Sequence, residues 1–336
     1  MIKSKIVGVG YYLPDNVVSN KDLEESMDTS DEWIRERTGI KERRWIKEDS
    51  KLSTSLMGTY AAKDALSDAN MNKDDIDFII FATLSPDYFF PGSGVLLQRN
   101  LKIKEIGALD VRNQCSGFIY ALSVADQYIK SGMYKNILVV GSEVHSGGLD
   151  KSPRGRGVSV IFGDGAGAVV LQANKTSFSG IISTHLHSEC AYAEELAVIS
   201  PSTTHWVDKI RNDENEDGSS YSPYMNGNFV FKNAVVRFEQ VIMEALNYNK
   251  LKKEDISLLI PHQANLRISQ FIQKRLGLSN DKVFNNIVKY GNTTAASIPI
   301  ALKEAILDHK LKSGDILCLA AFGSGFTWGS VIINWQ

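Results

Sequence analysis

The feature that most constrains the fold is an internal repeat of three short segments. The similar pairs are residues 73–80 and 253–260, 136–140 and 315–319, and 162–165 and 322–325. The spacings are 180, 179 and 160 residues, so an insertion near residues 142–157 would account for the shorter third value. Segments that recur in the same order at a nearly constant spacing predict two similar halves. A chance alignment of generic α/β sequence is the alternative.

Short apolar runs alternate with longer amphipathic segments along the chain. We predict strands at residues 77–83, 107–111, 136–141, 158–162, 168–171, 256–260, 315–320 and 329–333. We predict helices at residues 54–69, 116–130, 229–248, 266–276 and 295–307, and a shorter helix capped by Ser93 that ends at Leu101. Continuous apolar runs indicate strands buried on both faces, and interleaved helices predict an α/β fold.

Composition excludes several classes of protein. Lys and Arg number 37 against 39 Asp and Glu, which gives a net charge of −2, whereas general nucleic-acid binding needs a large basic surplus. No apolar run approaches the ~18 residues of a membrane span, and no signal peptide is recognisable, so we expect a soluble cytoplasmic protein. Three scattered cysteines fit neither a disulfide framework nor a metal site.

Cys115 is a candidate nucleophile because it lies between a predicted strand and a predicted helix. The first turn of a helix offers unpaired N–H groups and the positive end of the helix dipole. This position is expected to lower the thiol pKa and favour the reactive thiolate. A small buried apolar residue is the alternative that position alone leaves open.

His262 and Asn292 are candidate partners of that thiol. His262 follows the predicted strand at residues 256–260, where α/β sheets place their sites, although a structural hydrogen-bonding role fits its position equally well. Asn292 lies at the start of a predicted helix, where a capping role is the alternative. It follows Cys115 by 177 residues, close to the repeat spacing, so a pseudo-twofold axis would bring the two turns together.

Two glycine-rich segments remain. Residues 163–167 precede a strand pattern, whereas a dinucleotide-binding fingerprint precedes a helix, so we exclude a Rossmann site. Residues 323–325 have a similar pattern, and glycines there allow backbone N–H groups to approach a ligand as an oxyanion hole.

Six motifs occur in a characteristic order: residues 31–39, 114–117, 162–167, 261–267, 290–294 and 322–329. In this order and spacing the chain resembles β-ketoacyl-acyl-carrier-protein synthase III, of the thiolase superfamily, from residue 6 to residue 335. The resemblance implies a five-layer α-β-α-β-α fold of two similar halves related by pseudo-twofold symmetry. We divide the halves at residues 1–172 and 173–336 and expect a homodimer.

The resemblance also implies a reaction. Acyl-CoA acylates Cys115, and decarboxylative condensation with malonyl-acyl-carrier protein (malonyl-ACP) then gives a β-ketoacyl-ACP that initiates fatty acid synthesis. His262 and Asn292 would donate hydrogen bonds to the enolate oxygen, while the backbone N–H groups of Cys115 and Ser324 would hold the thioester oxygen. The implied chemistry needs no metal and no cofactor beyond acyl-CoA as substrate.

Binding residues follow from the same resemblance. Those expected to hold CoA are Trp33, Arg37 and Arg156, and those expected to contact the acyl-carrier protein are Lys232, Arg267, Lys274 and Arg275. Phe90 is expected to limit the acyl pocket and to cross the dimer interface.

Several residues depart from the family pattern. Gln114 stands where a small residue usually precedes the nucleophile, Ser324 replaces a glycine, and Phe89 adds an aromatic beside Phe90. Residues 144–149 are an unusual loop, and residues 200–228 are a predicted surface excursion. These departures keep open a specialised condensing enzyme or acyltransferase of secondary metabolism, of quinolone, resorcinol or polyketide type, that uses another acceptor.

Overall fold

The computed structural model describes residues 2–175, 178–203 and 219–336. Its strands are β1 (Lys3–Tyr12), β2 (Val17–Ser19), β3 (Glu42–Arg44), β4 (Phe78–Ala82), β5 (Gly107–Val111), β6 (Asn136–Glu143), β7 (Gly165–Asn174), β8 (Gly180–Ser188), β9 (Leu196–Ala197), β10 (Tyr224–Met225), β11 (Leu258–Pro261), β12 (Ile316–Gly323) and β13 (Thr327–Asn334). Its helices are α1 (Asn20–Glu24), α2 (Asp31–Thr38), α3 (Thr54–Asp68), α4 (Ser93–Leu101), α5 (Gly117–Lys130), α6 (Gly227–Tyr248), α7 (Leu266–Leu276), α8 (Ile287–Tyr290) and α9 (Ser297–Leu307). Short 3-10 turns lie at Lys73–Asp75, Gln114–Ser116, Pro153–Gly157, Cys190–Glu195, Ser219–Tyr221, Lys253–Asp255, Asn280–Lys282 and Thr294–Ala296.

Two sheets repeat the same strand order. The first runs β1-β7-β6-β4-β5 and the second runs β8-β13-β12-β11. In the first sheet β6, β4 and β5 pair in parallel, whereas β1, β7 and β6 pair antiparallel. In the second sheet β12 and β11 pair in parallel, whereas β8, β13 and β12 pair antiparallel. In the second sheet, a parallel bridge between Leu259 of β11 and Val283 occupies the place that β5 holds beside β4 in the first sheet. The predicted pair of similar halves is therefore confirmed, while their division at residue 172 stays a prediction.

Buried side chains arrange these elements in five layers. Helices α5 and α9 pack between the two sheets in one apolar cluster. Helices α3 and α4 cover the outer face of the first sheet, and helices α6 and α7 cover the outer face of the second. Because neighbouring strand residues point to opposite faces, Ile80 faces the central helices while Ile79 faces the outer ones. Burial on both faces explains the continuous apolar runs of the central strands, and the predicted five-layer α/β fold is confirmed.

One predicted strand, at residues 158–162, is wrong. The segment forms turns after Pro153–Gly157, and Val160 and Ile161 are buried in a separate cluster with Ile34 and Trp45. Its apolar run therefore reflects packing against the N-terminal helices rather than pairing in a sheet. Sequence patterns also miss β1, whose glycines and lysines interrupt the apolar run.

The helix ends show how two helices begin. Asn265 caps α7 through a bond from the Arg267 N–H to its side chain, 2.9 Å long. Ser93 is not the cap of α4, because Gly92 holds that position. The N–H groups of Ser93 and Gly94 bind the Asp110 carboxylate instead, at 2.6 and 2.9 Å, so this neighbouring acid satisfies the helix start.

The predicted surface excursion at residues 200–228 is described only at its ends. Residues 204–218, including its acidic run, lie outside the described residues. On the described side, Tyr224–Met225 pairs with Leu196–Ala197 in a two-stranded sheet before α6 begins.

In each half of the fold, a glycine at a strand end lies in close contact with a turn of the other half. A Cβ on Gly141, near the end of β6, would overlap the carbonyl oxygen of Ala295 in the turn before α9. A Cβ on Gly323, at the end of β12, would lie 2.5 Å from the Cβ of Cys115. Only a residue without a side chain fits at either strand end. The turns that precede α5 and α9 are thus held against the strands of the opposite half.

Gly323→Ala is expected to lower the free energy of unfolding by about 1–3 kcal/mol, because the added methyl group overpacks the turn that carries Cys115. The matched control is Gly157→Ala, where no atom outside the adjacent residues lies within 4 Å of the added Cβ. That change is expected to stay within about 0.5 kcal/mol. Urea unfolding of both variants measures the difference, and equal midpoints would contradict the proposed close packing.

Candidate active site

Cys115 lies in the turn Gln114–Ser116, directly before α5. Its side chain is 7% exposed, and Gly323 packs against it from β12. The backbone N–H groups of Cys115 itself and of Ser324 face the sulfur. Two convergent donors beside a sulfur are the arrangement that holds a thioester oxygen once the sulfur carries an acyl group. The structure therefore brings together the predicted nucleophile and the predicted backbone donor.

His262 follows β11 and is buried. Its backbone N–H donates to Ala320 of β12 at 2.8 Å, which fixes the residue at the strand end. Its Nδ1 lies 2.7 Å from the hydroxyl of Ser297, the first residue of α9. Its Nε2 is buried and, among the described residues, has no hydrogen-bond partner. A buried imidazole nitrogen without a partner is available to a substrate.

Asn292 is held by its backbone and by its side chain. Its N–H donates to Ile161 and its carbonyl accepts from Gly163, at 2.9 and 3.0 Å. Its side-chain Oδ1 accepts from the backbone N–H of Thr294 at 2.8 Å. The turn Thr294–Ala296 that follows packs against the turn of Cys115. The two corresponding turns therefore meet, as the repeat predicted.

The expected low pKa of Cys115 is wrong for this structure. Burial, with a smaller contribution from the nearby Glu143 carboxylate, raises the pKa of the thiol to about 12. The N–H groups of Cys115 and Ser324 act in the opposite direction but do not outweigh burial. The resting thiol is therefore neutral, so any reaction in which this sulfur attacks would have to remove its proton.

Both histidines of the site are neutral as well. Burial, with a smaller contribution from the neighbouring His145, lowers the pKa of His262 to about 3. Burial likewise lowers the pKa of His145 to about 3. A neutral imidazole that accepts at one nitrogen donates at the other, so His262 is suited to donate a hydrogen bond rather than to carry a charge.

Glu143 is a buried residue of the site that sequence reasoning missed. Its carboxylate accepts from the hydroxyls of Thr83 and Ser85, at 3.1 and 2.6 Å. It also accepts from the backbone N–H groups of Leu84 and Ser85, each at 3.2 Å. Burial raises its pKa to about 7, against these donors. No local motif marks this residue, because its partners lie about 60 residues away in the sequence.

The predicted CoA residues form one cluster. The guanidinium groups of Arg37 and Arg156 lie 4.4 and 4.3 Å from the centre of the Trp33 ring. Arg156 also pairs with Asp28 at 3.3 Å. Cations close to an indole face make a surface that suits a flat aromatic group carrying phosphates.

The predicted carrier-protein residues share one surface. All four are exposed on α6 and α7: Lys232, Arg267, Lys274 and Arg275. Arg267 lies 5.8 Å from the ring centre of Phe231, and Arg275 lies 5.9 Å from that of Phe271. Arg275 also forms an ion pair with Glu239, which offsets its charge.

Phe90 lies on the surface of the single chain. Its side chain is 82% exposed and that of Phe89 is 73% exposed, with their ring centres 6.4 Å apart. A single chain therefore does not bury the residue expected to limit the acyl pocket.

Within residues 2–175, 178–203 and 219–336, no group of three or more His, Cys, Asp and Glu residues is arranged to hold a metal ion. No helix in these ranges is both long and apolar enough to cross a membrane.

Known proteins match the chain along nearly its whole length. Residues 109–190 match the family of 3-oxoacyl-[acyl-carrier-protein (ACP)] synthase III, and residues 246–335 match the C-terminal region of that family. The β-ketoacyl-[acyl-carrier-protein] synthase III of Yersinia pseudotuberculosis is 47% identical over 331 residues, which cover 98% of this chain and 99% of the relative.

Solved structures agree with this match. The 3-oxoacyl-[acyl-carrier-protein] synthase III of Aquifex aeolicus is 45% identical, with a TM-score of 0.89 over 99% of this chain and 100% of that chain. The priming β-ketosynthase from the R1128 polyketide biosynthetic pathway is 30% identical, with a TM-score of 0.88 over 99% and 97%. The five-layer fold, with a buried cysteine where its halves meet, defines a thiolase-type condensing enzyme. Within that class the chain belongs to the β-ketoacyl-[acyl-carrier-protein] synthase III family.

Alkylation by iodoacetamide is expected to modify the exposed Cys190 before Cys115. In a Cys190→Ser variant, the rate at Cys115 is expected to rise about tenfold per pH unit from pH 7 to pH 9, because the thiolate fraction rises at that rate below the pKa. Peptide mass spectrometry measures the rate at each site, and Cys115→Ala identifies the peptide. A plateau near neutral pH would contradict the raised pKa.

Proposed function

We propose that this chain is a β-ketoacyl-ACP synthase III that joins an acyl group from acyl-CoA to malonyl-ACP and so initiates fatty acid synthesis. The observation that carries the proposal is the buried Nε2 of His262, which has no hydrogen-bond partner within the described part of the chain and lies at the junction with Cys115 and Asn292. A donor without a partner in a dry site is suited to an oxygen whose negative charge develops only during the reaction.

The first half-reaction transfers the acyl group. The sulfur of Cys115 attacks the thioester carbonyl of acyl-CoA, and the N–H groups of Cys115 and Ser324 hold the oxygen of the tetrahedral intermediate. The C–S bond to CoA breaks, CoA leaves with the thiol proton, and a thioester remains on Cys115. Because the resting thiol is neutral, attack and loss of the proton are coupled.

The second half-reaction forms the carbon–carbon bond. Malonyl-ACP loses carbon dioxide, and the electron pair of the broken bond forms an enolate. His262 Nε2–H and the Asn292 amide donate to the enolate oxygen. The enolate carbon then attacks the acyl group on Cys115, and the cysteine leaves and regains a proton. The products are a β-ketoacyl-ACP and carbon dioxide, and no step needs a metal or a further cofactor.

The substrates and location follow from the same proposal. The cluster of Trp33, Arg37 and Arg156 would bind the adenine and phosphate end of CoA. The exposed basic surface on α6 and α7 would bind an acidic acyl-carrier protein. A cytoplasmic location, expected from the sequence, belongs to the proposal too.

A homodimer is part of the proposal. Strand β5 is the edge of its sheet, and the exposed aromatics Phe89 and Phe90 lie in the segment before α4, which packs on that strand. An edge strand beside exposed aromatic rings is suited to pair with a second copy of the chain. Phe90 would then enter the partner's acyl pocket and limit the length of the acyl chain.

The second candidate is a condensing enzyme of secondary metabolism. It is supported by the similarity to the priming β-ketosynthase and by the unusual residues Gln114 and Ser324. It predicts that a CoA-bound or free β-keto acid is a better acceptor than malonyl-ACP. Measuring the rate at which the acylated enzyme reacts with each acceptor tests this expectation.

His262→Ala and Asn292→Ala are expected to accept the acyl group on Cys115 yet release carbon dioxide from malonyl-ACP about 100- to 1,000-fold more slowly. Removing one hydrogen-bond donor to a developing oxyanion slows a reaction by about this factor. Intact-mass analysis with a panel of acyl-CoAs follows the first step, and release of labelled carbon dioxide follows the second. The matched control is Asn247→Ala, an exposed asparagine of α6. Equal loss of both steps would contradict the division of roles.

Arg267→Glu combined with Lys274→Glu is expected to raise the KM for malonyl-ACP and to leave acylation by acyl-CoA nearly unchanged. Clustered positive charges mainly raise the rate at which an acidic carrier protein associates. The change in KM should therefore shrink as salt is added. The control is Lys63→Glu, which reverses an exposed charge on α3 in the opposite outer layer. Unchanged use of the carrier protein in the double variant would refute this docking surface.

A further inference from the structure

His145 is a buried imidazole that the proposed reaction does not use. It lies two residues after the end of β6, and only 7% of it is exposed. Its backbone is fixed by Asp164, whose carboxylate accepts from the N–H groups of His145 and Ser146 at 2.7 and 2.9 Å. The backbone that carries the ring is therefore anchored by Asp164, in the glycine-rich segment at residues 163–167.

The ring of His145 touches the turn that follows Asn292. Its Nε2 lies 2.8 Å from the hydroxyl of Thr294. Thr294 has a backbone φ of +49°, in the left-handed region that β-branched residues rarely adopt. A strained residue of this kind persists only where its surroundings hold it. The bond from His145 is one of the contacts that hold it.

The orientation of Asn292 depends on that turn. The backbone N–H of Thr294 can only donate, so the atom that it meets at 2.8 Å must be the amide oxygen of Asn292. The NH₂ group of Asn292 consequently points the other way and is available as a donor. If the Thr294 N–H rotated away, the amide would lose the bond that sets its direction.

His145 is also connected to Asn292 through Phe162. Its ring centre lies 4.7 Å from that of Phe162. Phe162 in turn forms an isolated parallel bridge with Asn292. The His145 ring therefore contacts both Phe162, which pairs with the backbone of Asn292, and Thr294, whose N–H binds the side chain of Asn292.

We propose that His145 is a positioning residue for condensation: by binding the Thr294 hydroxyl and packing on Phe162, it keeps the Asn292 amide aimed at the enolate oxygen. This inference rests on the proposed function. It gives His145 no part in acyl transfer, because the sulfur of Cys115 and the backbone donors of that step lie outside its contacts. The lowered pKa of His145 agrees with a neutral, hydrogen-bonding role.

The test compares paired variants at the two ends of the hydrogen bond. His145→Leu and Thr294→Val remove it, whereas His145→Gln and Thr294→Ser keep a polar group at the same place. We expect the first pair to lower kcat for release of carbon dioxide from malonyl-ACP by about 10- to 100-fold, the effect of a misplaced catalytic group. We expect acylation of Cys115 to stay within about twofold, which also shows that the variants are folded.

The double variant separates positioning from general damage. If His145 acts through Thr294, His145→Leu combined with Thr294→Val loses no more decarboxylation activity than either single variant. The conservative pair is expected to keep at least about half of the wild-type rate. Multiplicative losses in the double variant, equal loss of acylation, or an unaffected rate in His145→Leu would each overturn the inference.

The wild-type protein distinguishes failure of the inference from failure of the proposed function. A wild type that acylates Cys115 and releases carbon dioxide, beside an unimpaired His145→Leu variant, overturns the inference alone. A wild type that acylates Cys115 but releases no carbon dioxide from malonyl-ACP overturns the proposed function and this inference with it.

Discussion

The site depends on a reciprocal close approach between the two halves. Gly141 of β6 admits the turn that precedes α9, and Gly323 of β12 admits the turn that precedes α5. Each half therefore carries one turn of the site and one strand end that holds the other half's turn. This exchange brings Cys115 beside the Ser324 N–H, and it places His262 and Asn292 around the same junction. Neither half contains a complete site.

Burial at this junction has a common electrostatic effect. Low polarity disfavours every charged form, so it raises the pKa of Cys115 and of Glu143 and lowers the pKa of His145 and of His262. The resting site thus holds a neutral thiol and two neutral imidazoles. Donors arranged in such an environment interact strongly with a charge that appears only in the transition state.

Sequence reasoning succeeded where a local pattern determines the outcome. The repeat at residues 73–80 and 253–260 indicated matching strands, and residues that follow strand ends identified Cys115 and His262. The pKa of Cys115 could not be predicted, because burial depends on how both halves pack. Glu143 had no local signal, and His145 was marked only as part of the unusual loop at residues 144–149, since their partners lie about 60 and 149 residues away in the chain. The false strand at residues 158–162 arose because an apolar run does not reveal what covers it.

The raised pKa of Cys115 also bears on chemical damage. Peroxides oxidise thiolates rather than thiols, and the products beyond sulfenic acid are not readily reversed. A buried thiol with a raised pKa presents little thiolate at neutral pH. In the proposed reaction its sulfur is masked as a thioester after the first half-reaction. Burial and acylation together would therefore shield from oxidation the one cysteine on which the proposed reaction depends.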